Sequence, residues 1–336
     1  MIQHKKVASA IGLLAAAALM MTACSSGDTE PPASGESAEA VETLRFATTP
    51  LLETAALWVG IDQGFFEEVG LNVVAENSGV NSAAEGAALL VSGEFDLGLS
   101  NVANLAQASE QGIQLSVVTG STVVGGPGDA TMSVVARVDG PTDLKELGAE
   151  GVVVGVAGAN SPTHVALMNA IDEAGGDSSL TTFQAVPMST GGEMIANGSL
   201  TASIIVQPFL GGTLQNPELQ VIGSASESLP ELTPLMSVVA TPKLIEERAG
   251  ALEKFRTAWK KASDWANDPA NHDELVRIAA ENTGLDEAVL AQIPFPVYTA
   301  TISKESVQAE LEMFKKYGAL TEVPDLGALL SEGALG

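Results

Sequence analysis

Residues 44–75, LRFATTPLLETAALWVGIDQGFFEEVGLNVVA, contain the pattern of a strand, a helix and a second strand. The first strand is expected over Leu44–Thr48. Thr49-Pro50 then favours a helix start, because proline fits a first helical position and a preceding threonine can cap the helix. We expect this helix to end at Gly64 and Leu71–Ala75 to form the next strand. The stretch therefore predicts a β-α-β unit.

The second half of the chain repeats this alternation. Val152–Val156 and Ile204–Val206 are almost entirely apolar, and a helix is expected between them over Pro162–Ala174. Strands that are apolar on both faces and alternate with helices are typical of parallel sheets covered by helices on both sides. After a further strand at Leu235–Ala240, the chain is predicted to be helical. The predicted fold class is therefore α/β, with mostly parallel sheets flanked by helices and a helical C-terminal region.

Two similar segments indicate two lobes. Residues 92–98, SGEFDLG, and residues 197–203, NGSLTAS, each leave a predicted helix through glycine and enter a short strand. We expect lobe I to comprise 44–138 and 236–336, and lobe II to comprise 139–235. In such sheets ligands bind in the crevice beyond the carboxyl ends of the strands, so the ligand cleft is expected between the lobes.

The N-terminus has the pattern of a secretory signal peptide. A basic start, His4-Lys5-Lys6, precedes the apolar stretch Val7–Met21, and small residues lead to Cys24. A cysteine directly after the cut resembles the lipobox of bacterial lipoproteins, so residues 1–23 are predicted to be removed and Cys24 to carry lipid. The alternative is an ordinary secreted protein with an incidental free thiol, although an exposed unpaired cysteine is a liability outside the cell.

Residues 24–43 are predicted to form a flexible tether behind the lipid. Between Ser25 and Val41 the composition is mainly Ser, Gly, Glu, Ala and Pro, which favours disorder. The expected location is therefore extracytoplasmic, with the folded part anchored by lipid to the outer face of the cell membrane.

The composition argues against several classes of protein. Cys24 is the only cysteine, and His164 and His272 are the only histidines after the signal, so a cysteine nucleophile and zinc-ligand spacing are both lacking. No Walker loop, G-x-S-x-G motif or dinucleotide fingerprint occurs. We therefore expect no catalytic residue, no metal and no cofactor. The 42 acidic residues against 15 basic ones argue against nucleic acid as a partner, because that binding needs basic residues at phosphates.

Three motifs resemble a known family in their order and spacing. Residues 56–73, ALWVGIDQGFFEEVGLNV, resemble the "A…G-F-F…G-L-x-V" opening of the solute-binding proteins of nitrate, sulfonate, taurine and thiamine-precursor ABC importers. Residues 92–98 are similar to the "G-x-x-D-x-G" segment that follows in this family. Asp143–Leu147, DLKEL, resembles the "D-L-K-G" entry to the second lobe. The resemblance extends from about Leu44 into the helical C-terminal region.

The resemblance implies a type II periplasmic-binding-protein fold, in which two α/β lobes joined by a two-stranded hinge trap a ligand. It also implies an importer permease and ATPase as partners, and a small polar or anionic organic solute as ligand; we expect a monomer. Two positions differ from the family pattern. Gln207 precedes Pro208 where many members carry an acid, and Thr201 replaces an aspartate. Neutral Gln207 can both donate and accept hydrogen bonds.

Candidate ligand contacts lie where helices are predicted to begin after strands. Segments 48–50, 100–101 and 161–163 each place a hydroxyl or amide before a helix, where unpaired N–H groups and the helix dipole favour an anion or a polar oxygen. A plain helix cap is the more common role of such residues. We expect Thr49 and Ser161 to face each other across the cleft. The predicted ligand-binding residues are Thr49, Ser100, Asn101, Ser161, His164, Gln207 and Phe209.

Two other functions remain open at the level of the sequence. The fold also resembles that of thiamine-pyrimidine synthases, enzymes that need a cysteine-rich motif, and this chain has no cysteine after Cys24. The other alternative is a surface interaction lipoprotein without a transport role. A neighbouring permease gene and ATPase gene would favour import over this alternative.

Overall fold

A computed structural model of the protein describes residues 41–80 and 83–335. The predicted signal peptide, Cys24 and most of the predicted tether lie outside the described residues, so these stay predictions. Glu42 and Thr43, which were expected to belong to the tether, instead begin the first strand. Among the described residues, no helix is both long and apolar enough to cross a membrane.

The described chain alternates strands and helices. The strands are β1 Glu42–Thr48, β2 Leu71–Asn77, β3 Leu97–Ser100, β4 Ser116–Val124, β5 Ser133–Arg137, β6 Val153–Val156, β7 Thr182–Ala185, β8 Ala202–Ile205, β9 Leu219–Ser224, β10 Thr233–Ala240 and β11 Val297–Tyr298. The helices are α1 Ala55–Asp62, α2 Phe65–Glu68, α3 Ala83–Ser92, α4 Val102–Glu110, α5 Pro162–Glu173, α6 Gly191–Ala196, α7 Phe209–Thr213, α8 Pro242–Glu247, α9 Ala249–Asn267, α10 His272–Thr283, α11 Glu287–Leu290, α12 Lys304–Lys316 and α13 Leu326–Leu329. Short 3₁₀ turns lie at Leu52–Thr54, Lys145–Leu147, Ser178–Leu180, Ala225–Ser228, Pro269–Asn271 and Glu332–Ala334.

The strands form two mixed sheets. The first has six strands in the order β11-β4-β10-β3-β1-β2, and β1 pairs in parallel with both β2 and β3. The second has five strands in the order β7-β6-β8-β5-β9, and β6 pairs in parallel with both β7 and β8. Antiparallel pairs arise where β10 lies between β3 and β4, and where β5 lies between β8 and β9. The predicted α/β fold with sheets flanked by helices is confirmed. The sheets are mixed rather than mostly parallel, because five of the nine pairs between the described strands are antiparallel.

The first sheet is buried on both faces, which explains its apolar strands. On one face, Phe46 stacks on Trp259 of α9 with ring centroids 6.2 Å apart, and Phe255 stacks on Trp259 at 5.4 Å. Phe255 and Trp259 recur at the helical spacing that puts both on the buried side of α9. On the other face, α4 and α12 contribute Leu105 and Phe314 to a second apolar cluster. The stacked aromatic rings therefore hold the C-terminal helices onto the sheet.

Two segments cross between the sheets, from β4 to β5 and from β9 to β10. They lie backbone against backbone: Gly126 N donates to Leu229 O at 3.2 Å, and a side chain at Gly125 would collide with Pro230 O. Gly125 also has φ +110°, a conformation that favours glycine. The Asp129 carboxylate stabilises the crossing, because it accepts a hydrogen bond from Gly125 N at 2.8 Å. This bond and the backbone contacts beside it fix the path of both segments.

Strand pairing moves one predicted boundary. Lobe I was expected to include residues up to 138, yet Ser133–Arg137 forms β5 and pairs inside the second sheet with β8 and β9. The predicted helical C-terminal region starts with two helices, because α8 ends at Glu247 and α9 begins at Ala249. The division into two moving lobes stays a prediction.

Candidate ligand-binding site

A cavity of about 440 Å³ lies at the carboxyl ends of β1 and β3. Because these strands are parallel neighbours, with Ala47 opposite Gly98, their ends bring Thr49 and Ser100 to the same edge of the sheet. Helix α4 begins directly after Ser100 and supplies Asn104, while α3 covers one side. The cavity brings together three of the predicted residues, Thr49, Ser100 and Asn101, and their role in ligand binding stays a prediction.

Three polar side chains on this cavity make no hydrogen bond within the described part of the chain. They are the half-buried Thr49, Ser100 and Asn104. A partly buried hydroxyl or amide normally has a partner, so groups left without one beside a cavity are available to a bound molecule. Two of the three follow from the sequence pattern. Asn104 was missed, although it stands one helical turn after Ser100 and so returns to the same side of α4.

Asn101 lies on the same cavity but its amide is already occupied. Its Oδ1 accepts from Ala103 N at 2.8 Å, which makes it the N-cap of α4. Its Nδ2 donates to Leu235 O at 3.0 Å and lies 3.4 Å from Glu310 Oε1. Asn101 therefore joins the cavity wall to β10 and α12, and its predicted role in binding stays a prediction.

Behind Asn101 lies Glu310, an acidic residue that is 3% exposed. Its Oε2 is buried and has no hydrogen-bond partner among the described residues. Burial raises the pKa of Glu310 to about 8, with the hydrogen bond from Asn101 opposing the shift. A void of about 10 Å³ beside Glu310 is also lined by Pro162 and Ala166 of α5, a helix that packs against the second sheet. Glu310 thus lies where the two halves of the molecule meet.

Glu53 lies in the 3₁₀ turn after β1 and is absent from the described lining of the cavity. Its backbone O accepts from Ser121 Oγ at 3.1 Å on β4, so its turn is fixed to a strand that leads into the crossing. Burial raises the pKa of Glu53, opposed by a hydrogen bond from its own backbone. Tyr298 Oη donates to Leu52 O at 2.8 Å, and the pKa of Tyr298 is raised by burial and by the charge of Glu53. No ion pair involves Glu53 among the described residues.

Ser161 and His164 lie at the start of α5 and do not line the cavity beside Thr49. Ser161 Oγ accepts from His164 N at 3.3 Å, so Ser161 caps the helix. His164 Nδ1 accepts from Asn160 N at 3.0 Å, and its ring meets Phe183 edge-on at 4.5 Å. Burial lowers the pKa of His164, and its Nε2 is buried without a hydrogen-bond partner in the part of the chain that the structure describes. Both residues make local contacts at the start of α5, and their predicted role in ligand binding stays a prediction.

Gln207 and Phe209 lie on the second sheet's side of the molecule, away from Thr49 and Ser100. The Gln207–Pro208 peptide bond is cis, and Gln207 Oε1 is buried with no hydrogen-bond partner within residues 41–80 and 83–335. Phe209 is 42% exposed and borders a separate cavity of about 430 Å³, together with Glu193. The structure thus separates the seven predicted residues into one group of three on the cavity and four residues elsewhere.

Comparison with known proteins bears on the fold. The family model of the NMT1-like family matches residues 37–280. No curated protein sequence matches the chain. Several solved structures share the fold at low sequence identity. The aliphatic sulphonate-binding protein SsuA from Escherichia coli is 14% identical, with a TM-score of 0.70 over 88% of this chain and 94% of its own.

Two further solved structures show the same fold. The nitrate-binding protein NrtA from Synechocystis PCC 6803 is 14% identical, with a TM-score of 0.68 over 87% of this chain and 86% of its own. The ligand-binding component of an ABC-type import system from Staphylococcus aureus is 13% identical, with a TM-score of 0.71 over 88% of this chain and 100% of its own. The predicted periplasmic-binding-protein fold is therefore confirmed, and the match over most of the folded region shows that the chain belongs to the NMT1-like family.

Proposed function

We propose that the protein is the extracytoplasmic solute-binding component of an ABC importer, and that it captures a small organic solute and passes it to a permease and ATPase. The observation that carries this is the cavity of about 440 Å³ at the ends of β1 and β3, where the side chains of Thr49, Ser100 and Asn104 make no hydrogen bond among the described residues. Solved proteins with this fold bind sulphonates and nitrate. The proposed role is binding without catalysis, by a monomer.

Capture by hinge closure is part of this proposal. The two crossing segments beside Gly125 are the only covalent links between the sheets in the described chain, and they lie side by side. The halves also touch through side chains. Gln107 Nε2 donates to Asn160 O at 3.1 Å, Tyr317 Oη donates to Asp172 at 2.8 Å, and Val165 of α5 packs in the apolar cluster of α4 and α12. Contacts of this type can separate and re-form as the halves move.

A pair of serine substitutions tests the site. Ser100→Ala should weaken binding of a solute found by thermal-shift screening roughly 2- to 150-fold, because one hydrogen bond to a desolvated ligand is lost. Its stability should barely change, since Ser100 Oγ has no partner in the described chain. Ser161→Ala is the matched control: it removes a cap and should cost about 0.5–2 kcal/mol of stability while affinity stays the same. Calorimetry on both variants would contradict the proposed site if Ser161→Ala alone weakened binding.

Anchoring by lipid is the second part of the proposal and rests on the sequence around Cys24. Cys24→Ser should release the protein from membranes into the medium, because the thiol that accepts the lipid is gone. Fractionation of cells that express the variant measures this directly. If the variant stayed as membrane-bound as the parent, the lipoprotein assignment would be wrong, while the binding function would be unaffected.

A further inference from the structure

We infer that the part of the ligand that enters this cavity is uncharged and carries an apolar body behind a polar head. This inference rests on the proposed binding function and narrows its ligand class. No acidic, basic or histidine side chain lines the cavity among the described residues. The polar side chains that the structure describes on the cavity are hydroxyls and amides. A charged group placed there would lose its hydration without meeting a counter-charge, which is strongly unfavourable.

The cavity extends inward along the sheet from its polar rim. Ser237 of β10 pairs with Ser100, and Val239 pairs with Gly98, so Val239 lies two residues deeper, about 7 Å along the strand. Val239 is 1% exposed, and Leu90 of α3 and Leu115 line the same inner part. The polar groups therefore stand at one end, and aliphatic side chains form the interior. A ligand with one polar end and a hydrocarbon body matches this order.

The start of α4 is a feature of the cavity that would favour an anion. The first N–H groups of a helix attract negative charge. Here Asn101 Oδ1 already accepts from Ala103 N at 2.8 Å, so the protein itself satisfies one of these donors. The net charge of −27 further opposes an anion. Asn104, whose amide both donates and accepts, is better suited to a neutral head such as an amide or hydroxyl.

Probes that share one hydrocarbon chain and differ in the head test the ligand class. Hexanamide, hexanoate, hexane-1-sulfonate and hexylamine are titrated into the full chain by calorimetry. We expect hexanamide to bind at least about tenfold tighter than any of the three ions. Lengthening from butanamide to hexanamide should tighten binding by about fourfold for each buried methylene. Tighter binding of the sulfonate, or affinity that does not change with chain length, would overturn the inference.

A cavity-filling variant shows whether the probe occupies this cavity. Gly86 lies on α3 at the cavity, and a Cβ there would meet only Val80 Cγ2, at 4.0 Å. Gly86→Leu should therefore fold, with an unchanged or higher melting temperature because glycine disfavours helices, and should abolish hexanamide binding. Gly250→Leu, on the exposed start of α9 with open space around it, is the matched control and should bind as the parent does.

The outcomes separate this inference from the proposed function. If Gly86→Leu folds and still binds hexanamide, the apolar body does not occupy this cavity and the inference fails. If Gly86→Leu blocks a sulfonate that binds better than the amide, the site and the proposed function stand while the neutral ligand class is wrong. If no probe binds but screening finds another solute whose binding Ser100→Ala weakens, the inferred ligand class is wrong and the proposed function again stands.

Discussion

At the scale of single residues, Glu310 shows how a buried acid links the cavity to the rest of the protein. Its position on α12 could have been read from the sequence, since Val307, Leu311 and Phe314 place that side of the helix in the core. Its partner Asn101 could not, because the two residues are 209 positions apart and only the folded chain brings them together. The positions of Thr49 and Ser100 on the cavity could be predicted, because both residues stand at strand ends. The role of Ser161 could not, because the same sequence pattern is typical of a helix cap and of a ligand contact.

Glu310→Gln should change how stability depends on pH. Glu310 keeps its proton in the folded state up to a pKa of about 8, while in the unfolded state it loses the proton near its ordinary value of 4.5. Stability therefore falls as pH rises from about 4.5 to about 8, by at most about 1.4 kcal/mol per pH unit, and is independent of this group above that range. Glutamine cannot ionise, so the variant should gain up to about 4 kcal/mol on the parent between pH 5 and pH 8.

Denaturant unfolding at both pH values measures this difference. Glu312→Gln is the matched control, because Glu312 is exposed on the same helix and its substitution should leave the pH profile like that of the parent. Parallel profiles for Glu310→Gln and the parent would mean that Glu310 is ionised in the folded protein at neutral pH.

At the scale of secondary structure, the β-α units could be predicted from the sequence, whereas the crossing of the two segments between the sheets could not. Apolar runs identified β1, β2, β6 and β8 within a few residues. The antiparallel strands β5 and β9 were missed, although Ser133–Arg137 is apolar for three of its five residues, because strand pairing is set by contacts far apart in sequence. The crossing depends on Gly125 and Asp129, whose roles appear only when both segments are side by side.

Asp129→Ala should weaken the crossing. Asp129 Oδ1 accepts from Thr131 N at 2.7 Å and from Ser226 Oγ at 2.6 Å, and its Oδ2 accepts from Gly125 N. Burial alone would raise the pKa of Asp129, but these hydrogen bonds outweigh it and lower the pKa. A hydrogen bond to a charged group contributes about 1.5–3 kcal/mol, so we expect a loss of at least that size.

The same shift sets a pH dependence for this residue. Because the folded pKa lies below 3.8, the stabilisation from Asp129 is present above that value and is lost as pH falls through the folded pKa.

Denaturant unfolding at neutral pH measures how much stability Asp129→Ala loses. Asp139→Ala, which removes only an exposed ion pair with Arg137, is the control and should leave unfolding nearly unchanged. Equal effects from both substitutions would show that Asp129 does not stabilise the crossing.

At the scale of the whole molecule, the family and the two-sheet fold were predictable because motif order and β-α alternation are local properties of the chain. The relation between the halves was not, since it depends on contacts such as Tyr317 with Asp172, which are 145 positions apart. The central claim is that the halves close on a solute bound at the ends of β1 and β3.

Solution scattering with and without a solute found by screening tests that claim most directly. At a hundredfold excess over its Kd the solute should stabilise the protein by about 2.7 kcal/mol, which raises the melting temperature by roughly 5–10 °C and confirms that the site is occupied. Under those conditions closure predicts a smaller radius of gyration than in the free protein. A raised melting temperature with an unchanged radius of gyration would contradict closure, and a solute bound without any contribution from Ser100 would contradict the site.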